Sequence, residues 1–488
     1  MLISAFLLSS CGVASKVEGF LMGNDKQYTE EDVVYLPMES VKTLNPVISK
    51  DEDTYHISKL LYDGLFRLDD AMVPQNDLVQ SYRYEDSGTS MEITLRSGVT
   101  WHDGKPLRAE DAVFSIEAYK QLAKTGEGLY SDYVKGIKSA KAENDHTLKI
   151  EYYEKSANNK VEQYNRLSDL TLVANPDYFG AKAQNTVIFE VLPNKKNAVN
   201  LLKSGELSLL YNNAADRDTL ISDPDIKILN YPANEFEMIA FNTSKAPFSD
   251  KKVRKAIAYA TDSGKLLEKA YYNAGILSDS IFFPGYFGLE NGGELYAYDI
   301  DKAKARLQQA GYQDRNSDGY VEDKDGNEIE IRILIDRDNA SRSLAAASLK
   351  ESLEPLGVTV VIDAQAVDTY HSILNHGDYD IAIVGVQMNE RYDLSTLLSS
   401  AGGNVARYEN KKADKYVSEM NGAIDNTEKA ETAAELKKIL VDEIPYYCIF
   451  YRTYGIFYTD TLQGNPAPSY NYLYRGCEQW SSRYEKVF

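Results

Sequence analysis

Between residues 330 and 386 the chain alternates short apolar runs with helical stripes, and this alternation limits the possible folds more than any other feature. Ile331 to Ile335 reads as a strand, Ala340 to Leu356 as a helix ended at Gly357, and Val358 to Ile362 as a strand; Tyr370 to Asn375 follows as a short helix and Ile381 to Val384 as a strand. Two successive strand–helix–strand crossovers call for a parallel sheet, because a tight hairpin cannot return the chain to a parallel neighbour. Helices then cover both faces of that sheet. Ile381-Ala382-Ile383-Val384 has no polar alternation, as a central strand requires. Ligands of such sheets lie beyond the carboxyl ends of the strands, which points to the residues after Val384.

The rest of the chain is mixed α/β. Val33 to Leu36 forms a short strand before a turn at Asn45-Pro46, and Ile57, Leu60, Leu61 and Leu65 recur at helical spacing. Met91, Ile93 and Leu95 alternate with polar residues in a strand that leads to the Asp103-Gly104 turn, ahead of the helical stripe Ala112, Val113, Ile116 and Tyr119. Ala198 to Leu202 is helical up to Gly205, and Leu207 to Tyr211 is a strand. Ser249 or Asp250 caps a helix carrying Val253, Ala256, Ile257 and Ala260, and Asp301 opens another that closes at Gly311.

At 488 residues the chain holds several domains, and its 53 basic against 74 acidic residues give a formal charge of −21 that repels nucleic acid and anionic membrane surfaces. No run after the start approaches the ~20 apolar residues of a membrane span. Leu8-Ser9-Ser10-Cys11-Gly12 fits a lipobox, with small residues before a cysteine that takes lipid. Residues 1–11 therefore read as a lipoprotein signal, brief and without a preceding Lys or Arg, and residues 12–29 as a tether. Cys448 lies in the apolar run Tyr446-Tyr447-Cys448-Ile449-Phe450 and reads as a buried thiol; a disulfide to Cys477 is the alternative.

Catalytic patterns are missing. There is no phosphate loop, dinucleotide fingerprint, G-x-S-x-G elbow or H-E-x-x-H, so the expectation is a protein that is not an enzyme and needs no cofactor. His371 and His376 are five apart and fall on different helix faces, which reads as two independent histidines. Asp314, Asn316, Asp318 and Glu322, with Gly319 between them, follow the ligand spacing of a calcium loop, but position twelve is Asp325 and Ile329 begins a strand where such a loop exits into a helix. A plain tight turn satisfies the same residues.

Asn45-Pro46, Leu61-Tyr62-Asp63-Gly64-Leu65 and the run TLRSGVTWHDGKPLRAEDAVF from Thr94 to Phe114 closely resemble the signature of a large family of extracellular solute-binding proteins. That family includes the oligopeptide, dipeptide and nickel receptors of ABC importers. Phe241-Asn242-Thr243, Pro247-Phe248, Val253 to Ala260 and Ala303 to Tyr312 match later landmarks in order, so the resemblance covers the chain from about residue 33 onward. It implies a periplasmic-binding-protein-like α/β fold of two lobes with an inserted third α/β domain. On that pattern lobe I takes residues 30–53, 175–239 and 461–488, the insertion 54–174 and lobe II 240–460.

The resemblance also implies a function. A lipid-anchored monomer at the outer face of the cytoplasmic membrane or in the periplasm would capture short peptides and pass them to permease subunits and their ATPases. A nickel chelate, an oligosaccharide or a sensory role without transport are the alternatives. In peptide-binding relatives the segment resembling Val386-Gln387-Met388 pairs with the peptide main chain, and an acidic residue at the position resembling Glu390 holds its ammonium, with Asp393 in reserve. Lys50, Asp51 and Glu52 match the opposite strand by their spacing from Leu44-Asn45-Pro46. Where many relatives have tryptophan after the central strand, this chain has Val386-Gln387-Met388. The motifs around Trp101 and Arg254 are expected to be structural.

Overall fold

The computed structural model describes residues 3–7, 33–38, 43–49, 51–85, 89–124, 134, 136–152, 169–180, 182–191, 195–212, 220, 223–290, 295–388, 392–402, 404–423 and 425–482. The lipobox cysteine Cys11, the tether, Lys50 and Glu390 lie outside these residues. The chain forms two compact units, one of residues 1–69, 74–231 and 455–488, the other of residues 70–73 and 232–454. The main crossings fall inside continuous strands, whereas the sequence placed the lobe boundaries at 239/240 and 460/461. A strand that runs through a boundary leaves no turn residues to mark it.

The first unit holds two four-stranded sheets. In one, Thr186–Val191 lies between Asp169–Ala174 and Val33–Met38 and is parallel to the latter; the apolar stretch Ile3–Leu7 is its edge strand, antiparallel to Asp169–Ala174. In the other, Val79–Glu85, Ser90–Leu95, Thr147–Tyr152 and Ile137–Ala142 are antiparallel. Helix Ala109–Ala123 packs on it through Ala109 and Ile116, against Ile93, Leu95, Leu148 and Ile150. Here the Thr94–Phe114 signature has a folding role. Asp111 accepts from the Arg108 N–H at 2.8 Å and from the Trp101 ring N–H at 3.1 Å, which ties the helix start to the turn before it.

The second unit is built on strand β1 (Lys227–Phe241), which the sequence reading had not recognised. Helices α1 (Lys251–Ala260) and α2 (Ser263–Tyr271) follow, capped by Asp250 on the Lys252 N–H and by Asp262 on the Lys265 N–H. Helix Ile300–Gln309 is capped by Asp299, not Asp301; its aspartate must stand three residues before the N–H it bonds, that of Lys302. Then come β2 (Glu330–Asp336), α3 (Ala340–Leu353), β3 (Thr359–Gln365), α4 (Val367–His376), β4 (Ile381–Gln387) and β5 (Tyr446–Tyr458). The sheet order β5-β1-β4-β2-β3 has β2 parallel to both β3 and β4, as the crossovers required. Ile239, Phe241, Ile257, Ile333, Ile335, Leu349, Ile381 and Ile383 form one apolar core under α1 and α3.

Cys448 and Cys477 are both free and buried, so the disulfide alternative is not realised. Burial pushes both thiols above their ordinary range. A disulfide-exchange reagent is therefore expected to titrate neither thiol in the native protein and both in denaturant. Rapid reaction of either before unfolding would contradict its burial. Among the described residues no helix is long and apolar enough to cross a membrane.

Candidate functional site

The parallel strands of the second unit end at Asp336, Gln365 and Gln387. There β4 outruns its neighbour: its ladder with β2 covers Ile381 and Ala382, whereas its ladder with β1 runs on through Gly385 opposite Glu237, Val386 opposite Phe236 and Gln387 opposite Glu235. The pairing is prolonged by one residue, because the Met388 N–H donates to the Asn234 carbonyl at 2.9 Å and the buried Asn234 amide donates to the Met388 carbonyl. At Ile383 the main-chain carbonyl accepts from the Tyr370 hydroxyl at 2.9 Å, and from Val384 on β4 is laddered to β1 along one edge.

Beside this edge sits a buried charge cluster. The Glu237 side chain is 2% exposed; Arg342 Nε lies 3.2 Å and Arg452 Nη2 2.9 Å from its two oxygens. Arg452 also approaches Glu235 at 3.8 Å, and the Tyr454 hydroxyl donates to Glu235 at 2.6 Å. Arg342 reaches the cluster because Asn339 caps α3 through the Arg342 N–H, which places residue 342 in the first helical turn at the strand ends. Gly385 makes the approach possible. A Cβ there would stand 2.1 Å from Arg342 Nη2 and 2.7 Å from Glu237 Oε1.

Burial works against the charge on each guanidinium, but Glu237 beside Arg342, and Glu237 and Glu235 beside Arg452, outweigh it and hold both arginines above their ordinary pKa. Two acids and two bases make the cluster neutral as a whole. Arg342 is 16% and Arg452 27% exposed in its side chain, so neither side chain is fully closed off from solvent. An arginine has five N–H donors, and those not spent on carboxylates can meet a carbonyl or carboxylate of a bound molecule. The arrangement can bind and orient a ligand; among the described residues of the cluster there is no nucleophile set against a base.

Of the residues expected from sequence, Val386, Gln387 and Met388 stand at this edge, with Met388 buried. Asp393 is engaged locally, where one oxygen accepts from the Ser395 N–H at 2.9 Å, from the Ser395 hydroxyl at 2.5 Å and from the amide of Asn421, on helix Lys411–Gly422, at 2.7 Å. In the first unit Asp51 precedes helix Glu52–Leu61 and accepts from the Ser49 hydroxyl at 3.4 Å; Glu52 is exposed, 3.8 Å from His56. Asp314, Asp318 and Glu322 do converge. Asn316 turns its amide to Asp318 at 2.8 Å. Sequence reasoning missed Glu235, Glu237, Arg342 and Arg452. Their one local trace was two glutamates two apart in an otherwise apolar run, which is how a strand presents both to the same face.

The family described as bacterial extracellular solute-binding proteins, family 5 Middle, matches residues 73–164 and 159–406. The oligopeptide-binding protein AppA of Bacillus subtilis is 23% identical over 514 residues, covering 95% of this chain and 94% of that protein. The heme-binding protein A of Haemophilus influenzae is 23% identical over 512 residues, covering 91% of each. The crystal structure of the ABC transporter substrate binding protein CtaP from Listeria monocytogenes superposes with a TM-score of 0.71 at 20% identity, covering 93% of this chain and 100% of that one. The fold is thus the two-lobe α/β fold of these binding proteins, and the chain belongs to family 5 of the bacterial extracellular solute-binding proteins.

Proposed function

We propose that this chain is the substrate-binding lipoprotein of an ABC importer, a monomer held by lipid on Cys11 outside the cytoplasmic membrane, and that its cargo is a short peptide. One observation carries the peptide reading: past Ile383, whose carbonyl the Tyr370 hydroxyl takes, β4 is laddered to β1 alone, at the carboxyl edge and beside partly exposed arginines. A strand held on one side can accept an extended peptide on the other, and main-chain pairing gives affinity without reading side chains. The peptide-binding name of the Bacillus relative supports the same reading.

Glu390 is the proposed partner of the peptide ammonium. Asp393 is the lesser candidate, because Ser395 and Asn421 already occupy one of its oxygens. A charge-assisted bond of this kind contributes about 1.5 to 3 kcal/mol, or roughly ten- to a hundred-fold in affinity. Native mass spectrometry of the purified protein identifies a peptide cargo, and calorimetry then compares that peptide with its N-acetylated form. Glu390→Gln is expected to weaken the free-amine peptide ten- to a hundred-fold and the acetylated one little. A nickel chelate or oligosaccharide in the mass spectrum, or equal binding of both peptide forms by wild type, Glu390→Gln and Asp393→Asn, would remove the peptide assignment.

A further inference from the structure

We propose that Tyr370 is a positioning residue of the binding edge: its hydroxyl ends the ladder between β2 and β4 and keeps the main chain of Gly385 and Gln387 free for an extended peptide. The second half of this role rests on the peptide reading above, and the first half does not. Tyr370 stands on α4 and is 2% exposed, and its hydroxyl donates to the Ile383 carbonyl at 2.9 Å.

The direction of each main-chain group on β4 follows from the bonds at the two ends of the strand. The Asn242 N–H donates to the Asp380 carbonyl at 3.0 Å and the Met388 N–H to the Asn234 carbonyl at 2.9 Å, so the even-numbered residues bond to β1. Ile381, Ile383, Gly385 and Gln387 therefore turn their N–H and C=O groups to the other edge, where β2 lies. On β2 the odd-numbered residues bond to β3, because the Thr359 N–H donates to the Ile329 carbonyl at 3.0 Å and the Arg337 N–H to the Gln365 carbonyl at 2.9 Å. Leu334 and Asp336 thus face β4.

The ladder between the two strands joins Leu334 to Ala382 and stops. Its next step would bring the Asp336 N–H to the Ile383 carbonyl and the Gly385 N–H to the Asp336 carbonyl. That step is absent from the ladder. Instead the Tyr370 hydroxyl holds the Ile383 carbonyl, and the Asp336 carbonyl accepts from the Asn339 N–H at 3.3 Å, at the start of α3. Ile383 is fully buried, where a carbonyl without a donor is costly, so the tyrosine removes the reason for β4 to close on β2. Burial pushes the Tyr370 hydroxyl up to about 12, which keeps it a donor across the physiological range. Beyond it Gly385 is half-buried and Gln387 exposed, and among the described residues their main-chain groups have no partner on the open side.

Hydrogen exchange on the full chain, freed of cargo by unfolding, dialysis and refolding, reads the edge directly. In the wild type the Gly385 and Gln387 amides should exchange on the order of a hundredfold faster than those of Val384 and Val386, which bond to β1. Tyr370→Phe removes the donor and keeps the ring. The Ile383 carbonyl is then left to the Asp336 N–H, so the Gly385 amide is expected to slow by about tenfold, whereas loss of a merely structural bond would leave it unchanged or faster. Tyr296→Phe is the control, because that buried hydroxyl also donates to a carbonyl, of Val441, at 2.7 Å. Both variants should lower the unfolding midpoint by similar amounts. A tryptic digest of casein is the peptide probe, with bound peptide read by native mass spectrometry. Half-saturation should need about tenfold more digest in Tyr370→Phe and change by less than about twofold in Tyr296→Phe. Protected Gly385 and Gln387 amides in the cargo-free wild type, or a Gly385 amide that does not slow in Tyr370→Phe, would overturn the proposal. A slowed Gly385 amide with unchanged peptide capture would overturn its second half and leave the first. Capture of no peptide by the wild type would overturn the peptide reading, and with it that same half.

Discussion

Glu237→Ala is expected to destabilise the second unit by about 3 kcal/mol, because it leaves the largely buried Arg342 without a carboxylate and Arg452 with only Glu235 at 3.8 Å. The loss arises from the stranded guanidiniums more than from the bonds themselves, and this distinguishes the variants. Glu237→Gln keeps the volume and one acceptor, so about half of the loss should return. The double change Glu237→Met with Arg342→Met replaces a pair by apolar side chains and should cost less than Glu237→Ala alone, since a removed pair leaves one fewer unpaired charge than a broken one. Urea unfolding of each variant measures this. If Glu237→Ala costs under 1 kcal/mol, the cluster is hydrated and the account of its charges fails. Ligand affinity should respond separately: Arg342→Ala is expected to weaken binding even where the folded fraction is restored by cooling, because Arg342 is partly exposed and its guanidinium stands beside Gly385 of β4.

Arg254→Ala is expected to cost a similar amount, about 3 to 5 kcal/mol, for a different reason. The side chain is 3% exposed and its guanidinium donates to four main-chain carbonyls: Phe248 at 2.6 Å, Ser249 at 3.2 Å, Glu443 at 2.9 Å and Ile444 at 3.0 Å. Burial lowers the Arg254 pKa and the nearby Glu443 carboxylate, 3.8 Å away, offsets part of that. One planar fork therefore joins the entry of α1 to the end of helix Asn426–Glu443. Its loss leaves those carbonyls without donors. Arg254→Lys supplies a single charged point in place of the fork and should recover less than half of the loss, without changing ligand affinity once folded. Full stability of the lysine variant would show that charge, and not the fork, is what matters.

Much of this was written in local sequence. The two crossovers of the second unit follow from residue periodicity, and β2, β3, β4, α3 and α4 stand within a few residues of where periodicity puts them. Asp250 caps α1 as its position before the apolar stripe implies, and the Trp101–Asp111 region is a folding motif. Local features are legible because a cap or a strand face depends on residues a few places apart.

The site is only half legible. Position after the central strand directed attention to Val386, Gln387 and Met388, but nothing near them in sequence announces the charges at their side. Glu237 meets Arg342 across 105 residues and Arg452 across 215. Each is unremarkable alone: a glutamate in a strand, an arginine in a first helical turn. Gly385 reads in sequence as a weak point in a strand, and only the packed sheet shows that it makes room for a guanidinium. Sequence determined the elements and their order, since backbone conformation is set by near neighbours. Tertiary structure alone decided which charges are buried together, because burial and partnership depend on chain segments that periodicity cannot bring into register.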